Sequence, residues 1–326
     1  MDIPAEEFEI DEALLKLTEV QSSSDLRSRS NITFTVRSLL DQGASANAKD
    51  SKVKTTALMR ASDKGHRDIV QLLCERGAEI NAEDKEGKTA LHVAVRTENI
   101  AVVKLLLKLG TNIEATERES GDTALMIAAR KGLDSIASIL LQEGTIASRT
   151  NHEGKTALAY AASNGHEGVA KILLNSGAGL ETQDDAGATP LSVAASWDKV
   201  EMVNMLLAAG GKVETRNHSG STPLVETAEF GNRACMEVLL DAGANIDAQD
   251  NYGNTAVMRV FKWVHRGICK CNFCSARAVS SDLLRVLVTR GANLSLKNAH
   301  GQSAIDLAEE YQFSDRDEII SVLKGA

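Results

Sequence analysis

A threonine that returns at a nearly constant interval is the strongest constraint on what this chain can fold into. Successive threonines lie 33 or 34 residues apart, at Thr56, Thr89, Thr123, Thr156, Thr189, Thr222 and Thr255. Each of the first six is followed 21 residues later by a glycine, at Gly77, Gly110, Gly144, Gly177, Gly210 and Gly243. A period of about 20–50 residues is typical of proteins built from stacked units that pack mainly on their neighbours. The chain is therefore predicted to form a stack of similar units.

Each period predicts two short helices and a turn. The threonine suits a helix N-cap, and Pro190 and Pro223 follow their threonines at the first helical position, where proline is tolerated. An apolar triplet such as residues 105–107 marks the second helix, and the Asp/Asn/Gly-rich residues 81–88 are typical of a hairpin-like turn. Glycines predicted to cap the first helix in the left-handed conformation are Gly65, Gly132, Gly165 and Gly231.

The repeated motif T-[AP]-L-x-x-A…G-H…L-L…G-A resembles the ankyrin repeat. Clear copies are TALHVA at 89–94, with His92 at the family's histidine position, and NGHEGVAKILLNSGA at 164–178. The resemblance covers residues 35–310, nearly the whole chain. It implies an all-α repeat solenoid, in which helix pairs stack in a right-handed sense with β-hairpin-like turns on one side. It also implies a concave face that binds partners.

The two ends of the chain depart from the repeat, as the terminal caps of a stack do. Residues 1–34 are predicted to contain an amphipathic capping helix over 9–20 and a Ser/Arg-rich loop over 21–31. Residues 35–297 contain a degenerate first repeat and then about seven further units. Residues 298–326 are predicted to form a C-terminal capping repeat.

Composition restricts the class of protein and its compartment. Aromatic residues make up only 3% of the chain, which fits a core of small and aliphatic side chains. A formal net charge of −9 argues against nucleic-acid binding, because phosphate recognition needs a basic face. We expect no secretory signal, because the N-terminal residues MDIPAEEFEI are acidic and contain no apolar h-region, and no membrane helix, since no apolar run approaches about 18–20 residues. Five cysteines do not suggest a disulfide framework, so a reducing compartment is expected, the cytoplasm or the nucleus.

Three of the cysteines fall in an insert within the seventh unit. Thr255 and Gly291 are separated by 36 residues rather than 21, so extra residues near 268–282 stand between the two helices of this unit. The cysteines of the insert are Cys269, Cys271 and Cys274. Their C-x-C-x-x-C spacing is short enough for one tetrahedral zinc ion, with His265 as a fourth ligand.

The repeat also accounts for the histidine without a metal. His265 lies ten residues after its threonine, as His66 and His166 do in their own units. We therefore interpret the insert first as a loop of reduced thiols and expect no cofactor. A structural zinc ion and a redox-sensing thiol cluster are the alternatives.

An aromatic row is the most distinctive candidate for partner binding. In proteins that the chain resembles, partners contact the turns and the exposed end of the first helix. The eighth residue after the threonine is aromatic in three successive units, at Trp197, Phe230 and Trp263, and Tyr252 stands at a neighbouring turn. Tryptophan and other aromatic residues are favoured as interface anchors. The alternative is that these rings fold over neighbouring helices and cover the small alanines.

In the earlier units, the seventh and eighth residues after the threonine are polar and mainly basic. Arg96, Arg130 and Lys131 are candidates to hold an acidic segment of a partner, and a solvated charged face is the alternative. The whole row would then match a peptide with an apolar stretch and acidic residues toward one end. The resemblance also raises hydroxylation of Asn81, although an ordinary turn asparagine is the favoured interpretation.

No catalytic constellation emerges from the sequence. There is no phosphate-binding loop of the G-x-x-x-x-G-K-[ST] type, and the glycines are explained by helix ends. The histidines lie at repeat positions or turns, without a paired nucleophile. The sequence therefore predicts a non-enzymatic scaffold or adaptor that binds an unidentified protein or peptide. The alternative is a metal- or redox-responsive regulator that uses the cysteine insert.

Overall fold

The computed structural model describes residues 5–19, 26–265, 281–310 and 316–325. Within these ranges the regular structure is helical, and β-type pairing is confined to isolated bridges such as Lys49–Thr56 and Thr116–Thr123. The chain divides into two compact units, 1–153 with 175–177, and 154–174 with 178–326. None of the described helices is both long enough and apolar enough to cross a membrane.

The first unit begins with two helices that do not follow the repeat, α1 (Ala5–Thr18) and α2 (Leu26–Asp41). Three helix pairs follow: α3 (Ala57–Asp63) with α4 (Arg67–Glu75), α5 (Ala90–Arg96) with α6 (Ile100–Lys108), and α7 (Ala124–Lys131) with α8 (Asp134–Gln142). The first helices of these pairs pack on one another in order, and so do the second helices. The predicted loop over 21–31 is wrong from Leu26 onward, because α2 packs on α1 and α4 and is helical from that residue.

The second unit contains five further pairs. They are α9 (Ala157–Asn164) with α10 (Glu167–Asn175), α11 (Pro190–Ser196) with α12 (Val200–Ala208), α13 (Pro223–Phe230) with α14 (Arg233–Asp241), α15 (Ala256–His265) with α16 (Ser281–Thr289), and α17 (Ala304–Glu310) with α18 (Arg316–Lys324). First helices again pack on first helices, as in α9 on α11 and α11 on α13. The all-α repeat class predicted from the sequence is therefore confirmed in each unit.

The recurring threonines from Thr56 to Thr222 are the N-caps that the sequence predicts. Thr56 Oγ1 accepts from Met59 N at 3.1 Å, and Thr156 Oγ1 accepts from Ala159 N at 3.2 Å. These bonds satisfy backbone donors that the first turn of a helix leaves without a partner. Gly132 (φ 74°) then ends α7 in the left-handed conformation, as predicted.

A buried histidine of α5 supports the turn after α6. The His92 side chain is fully buried, with Nδ1 3.1 Å from Thr89 N and Nε2 3.0 Å from Ala115 O. Since the Thr89 N–H can only donate, Nδ1 accepts and Nε2 donates to the carbonyl. Burial lowers the pKa of His92, which keeps the ring neutral. This residue therefore has a structural role.

Successive turns, which we call tips, are joined by backbone hydrogen bonds. The Asn251 N–H donates to Ser219 O at 3.0 Å, and the His218 N–H donates to Ala186 O at 3.0 Å. Gly220 makes this approach possible, because it has φ 74° and a Cβ there would lie 2.8 Å from Asn251 N. The tips therefore depend on glycine for both backbone conformation and space.

We predict that Gly220→Ala destabilises the protein more than Gly243→Ala does. Both positions have positive φ, so each alanine costs about 1–2 kcal/mol of backbone strain. Only Gly220 has a neighbouring backbone in the way, whereas an added Cβ at Gly243 meets nothing within 4 Å. Urea denaturation of the two variants measures the difference. Equal losses of unfolding free energy would show that contact between tips does not matter.

Candidate functional site

Among the described residues of the second unit, three aromatic side chains are exposed, and we call them the aromatic surface: Trp197, Phe230 and Tyr252. Trp197 directly follows α11 and is 65% exposed, and Phe230, the last residue of α13, is 44% exposed. Tyr252 lies at the tip before α15 and is 59% exposed. The rings therefore present large areas to solvent. Trp263 lies in α15, and its side chain is outside the described residues.

Two of these rings border a surface hollow of about 300 Å³. Phe230 and Tyr252 provide its aromatic walls. The remaining lining is polar and consists of Asn217, Ser219, Ser221, Glu226, Glu229 and Arg259. The hollow thus combines aromatic surface with two carboxylates, a set of groups suited to binding a side chain that is both apolar and charged.

Arg259 is held in place by carboxylates at the hollow. Its side chain is only 4% exposed, and its Nε lies 2.6 Å from Asp250 Oδ2, an oxygen that Nη2 also contacts. Its Nη1 lies 3.0 Å from Glu229 Oε2. The buried guanidinium is therefore paired with two carboxylates, as a buried charge requires.

Glu226 is the titratable group of the hollow. Its Oε1 accepts from Asn217 Nδ2 at 2.6 Å, and its Oε2 accepts from Ser196 Oγ at 3.3 Å. The pKa of Glu226 is raised to about 7, mainly by burial and to a smaller extent by the nearby carboxylates of Glu229 and Asp184, while the two hydrogen bonds oppose the shift. Near neutral pH this carboxyl group is therefore divided between its charged and neutral forms.

We predict that Glu226→Gln stabilises the protein at pH 8 and has little effect at pH 5. The folded pKa of about 7 lies above the ordinary value of 4.5, so the stability contribution of Glu226 is complete below 4.5 and is lost as pH rises through about 7. Glutamine keeps the side-chain shape without the charge. We expect a gain of about 1–2 kcal/mol in unfolding free energy at pH 8.

Denaturant titrations at both pH values measure this effect. Glu201→Gln on α12 is the matched control, because that side chain is exposed. A gain of the same size at both pH values, or a gain in the control, would contradict the interpretation.

The predicted basic residues in the first unit are paired with carboxylates of the same unit. Arg96 Nη2 lies 2.6 Å from Glu117 Oε1, and Arg130 Nη1 lies 2.8 Å from Asp122 Oδ2. Lys131 Nζ donates to Glu98 Oε1 at 2.8 Å and to Arg96 O at 2.6 Å. An acidic partner segment would have to compete with these carboxylates, and binding by the three basic residues stays a prediction.

Asn81 has a hydrogen-bonding role that recurs along the chain. Its Oδ1 accepts from Asn112 N at 2.7 Å, one repeat further on. Asn47 Oδ1 accepts in the same way from Glu79 N at 2.7 Å. Equivalent bonds from a side-chain oxygen to the next repeat are made by Glu114, Glu181, Glu214 and Asp247. This recurring bond is consistent with an ordinary turn asparagine at Asn81, and its hydroxylation stays a prediction.

The proposed metal ligands fall where the structure gives no side-chain positions. Cys269, Cys271 and Cys274, together with the side chain of His265, lie outside the described residues. Of the two cysteines in the described part, Cys235 is fully buried, and burial raises its pKa to about 12. Burial also raises the pKa of Cys74. Neither thiol has the lowered pKa of a reactive cysteine.

Sequence reasoning missed the acidic part of the hollow. The sequence pattern predicts no role for Glu226 or Glu229. The missed signal is helical spacing: Glu226 and Arg259 each lie four residues after their threonine, and Phe230 lies four after Glu226. Residues four apart share one face of a helix, so extending the row by one turn would have included them.

Comparison with known proteins gives consistent results. The sequence model of a family described as ankyrin repeats (3 copies) matches residues 28–117, 111–184 and 191–271. A relative from Schizosaccharomyces pombe, ankyrin repeat-containing protein P1E11.10, is 41% identical over 59 residues, which are 18% of this chain and 28% of that protein. The match therefore spans less than a third of that relative. The chain is also similar to the crystal structure of the ankyrin repeat domain of Bcl-3, whose title calls it a unique member of the IkappaB protein family. The TM-score is 0.60 and the sequence identity is 28%, and the match covers 74% of this chain and 100% of that chain.

Proposed function

Because the chain belongs to the ankyrin-repeat family, we propose that it is a non-enzymatic scaffold or adaptor whose protein or peptide partner binds the aromatic surface of the second unit. The observation that carries the proposal is the exposure of Trp197, Phe230 and Tyr252. Only 3% of the chain is aromatic, yet three aromatic residues in the described part of one unit are exposed. Grouped exposed aromatic residues are unfavourable in water and mark interaction sites.

The repeat geometry supports a shared surface for these residues. Trp197 and Phe230 are each the eighth residue after their threonine, and α11 packs directly on α13. Equivalent residues of neighbouring repeats therefore occupy equivalent places on adjacent helices. Trp263 has the same position in the next repeat, on α15, which packs on α13. We extend the proposed surface to Trp263 on this basis.

The proposed compartment is the cytoplasm or the nucleus, where a free-thiol protein persists. A partner would use the rings as anchors in the centre of its interface and the polar tips as its rim. The basic residues of the first unit would add to binding only for a partner acidic enough to displace their carboxylates.

We predict that Trp197→Ala/Phe230→Ala/Tyr252→Ala abolishes partner capture without unfolding the protein. Loss of interface aromatic anchors typically costs 2 kcal/mol or more each, roughly a 30-fold loss of affinity per residue. Affinity purification of the full chain from its source cells, with quantitative mass spectrometry, measures the captured partners. Circular-dichroism melts of both proteins show whether the fold is intact.

Phe34→Ala is the matched control, because Phe34 is an exposed phenylalanine (72%) on α2, outside the aromatic surface. It is expected to capture the same partners as the unchanged protein. If the triple variant melts normally and still captures them, the aromatic surface is not the binding site. Equal losses in the triple variant and the control would also contradict the proposal.

A second candidate function is a metal-responsive regulator, and the C-x-C-x-x-C spacing in the insert favours it. This reading predicts about one zinc ion per chain in protein purified under reducing conditions. The metal should be lost when Cys269, Cys271 and Cys274 are replaced by serine, and retained in Cys74→Ser. Elemental analysis measures this, and an absence of bound metal from the unchanged protein rules out the zinc-binding regulator.

A further inference from the structure

We propose that the hollow bordered by Phe230 and Tyr252 binds a basic side chain, arginine or lysine, of the partner. This inference rests on the proposed function, because it names the chemistry that the aromatic surface recognises. It also assigns a role to Glu226 and Glu229, which lie in the hollow beside the rings.

The aromatic walls favour a cation over a neutral polar group. The face of an aromatic ring carries negative charge density and attracts ammonium and guanidinium groups within about 6 Å. Phe230 and Tyr252 line the hollow while keeping 44% and 59% of their surface exposed. Both rings are thus accessible to a side chain that enters from solvent. The long aliphatic stems of arginine and lysine would pack on the apolar ring surface.

Charge complementarity points to the same occupant. Three carboxylates, Glu226, Glu229 and Asp250, lie at or directly beside the hollow, and Arg259 is the cation paired with two of them. One cation against three acidic groups leaves an excess of negative charge. An acidic partner side chain would be repelled, and a purely apolar one would remove water from the carboxylates without replacing its hydrogen bonds.

The size of the hollow also limits its occupant. A volume of about 300 Å³ is at the lower end of the range for small-molecule sites. It suits one side chain better than a whole cofactor or a folded element. The hydroxyl groups of Ser219 and Ser221 supply further acceptors for the N–H groups of a cation.

Binding should strengthen as the pH rises through neutrality. Glu226 on α13 titrates near pH 7, so the charge available to a cation increases between pH 6 and pH 8. The groups that face it are Glu229 on the same helix, Ser196 of α11, Asp184 and Asn217 at the preceding tips, and Arg259 of α15 with Asp250.

The test uses the full chain and N-acetyl-arginine methylamide, followed by NMR chemical-shift titration at pH 6 and pH 8. The matched control ligand is N-acetyl-citrulline methylamide, which has nearly the same shape but no charge. We expect saturable shifts at the amides of Phe230 and Tyr252, with a dissociation constant on the order of millimolar. The citrulline compound should bind at least about tenfold more weakly. The arginine compound should bind several-fold more tightly at pH 8 than at pH 6.

Two variants connect the binding to the hollow. Glu226→Gln should weaken arginine binding at pH 8 and remove most of its pH dependence, and Tyr252→Ala, at an exposed tip, should weaken binding at both pH values. The inference is wrong if arginine and citrulline bind alike, if neither binds, or if the shifts occur away from the hollow. If Glu226→Gln loses binding and also has a lowered melting temperature, the loss of binding could come from a destabilised fold. Tyr252→Ala then decides the question, because Tyr252 is exposed and its replacement should leave the fold intact.

The ligand titration and the partner-capture experiment test different claims, so either one can fail while the other succeeds. If capture depends on the aromatic surface but the arginine compound does not bind, only the cation inference is wrong. If the arginine compound binds but capture does not depend on the aromatic surface, the proposed function is wrong.

Discussion

Hydrogen bonds between successive tips fix the spacing on which the rest of this structure depends. In the second unit the amides of His218 and Asn251 donate to carbonyl groups of the preceding tip, both at 3.0 Å, and in the first unit Arg118 N donates to Glu86 O at 2.8 Å. Glycines permit the close approach. Because repeats within a unit are held to one another in the same register, residues that recur there with the period of 33 residues lie side by side. A site can therefore be built from one residue in each of several repeats.

Corresponding positions of the repeat hold different kinds of side chain in the two units. In the first unit, Arg96 and Lys131 occupy outward positions, and carboxylates of neighbouring segments pair with them. In the second unit, Trp197 and Phe230 occupy the corresponding region and remain exposed. Partly exposed ion pairs contribute little binding energy to a partner, whereas exposed rings release water when they are covered. This contrast favours the second unit as the anchoring region.

Much of the fold could be predicted from local sequence, because caps and turns are local features. The threonine N-caps and the left-handed Gly132 follow from interactions within a few residues. The start of α2 at Leu26 could not be predicted in this way. Its Ser/Arg-rich first turns resemble a loop, and packing on α1 and α4 overrides that weak preference.

The sequence predicted the aromatic residues of the candidate site but not its charged residues, and this difference has a physical reason. The sequence by itself determined the register, the helix ends and the positions of Trp197 and Phe230, since these depend on periodicity and nearest neighbours. The tertiary structure decided which charges are paired and which carboxyl titrates near neutrality. Ser196 and Glu226 are 30 residues apart in the chain, as are Glu229 and Arg259. Pairing and burial over such separations exist only after the repeats have packed together.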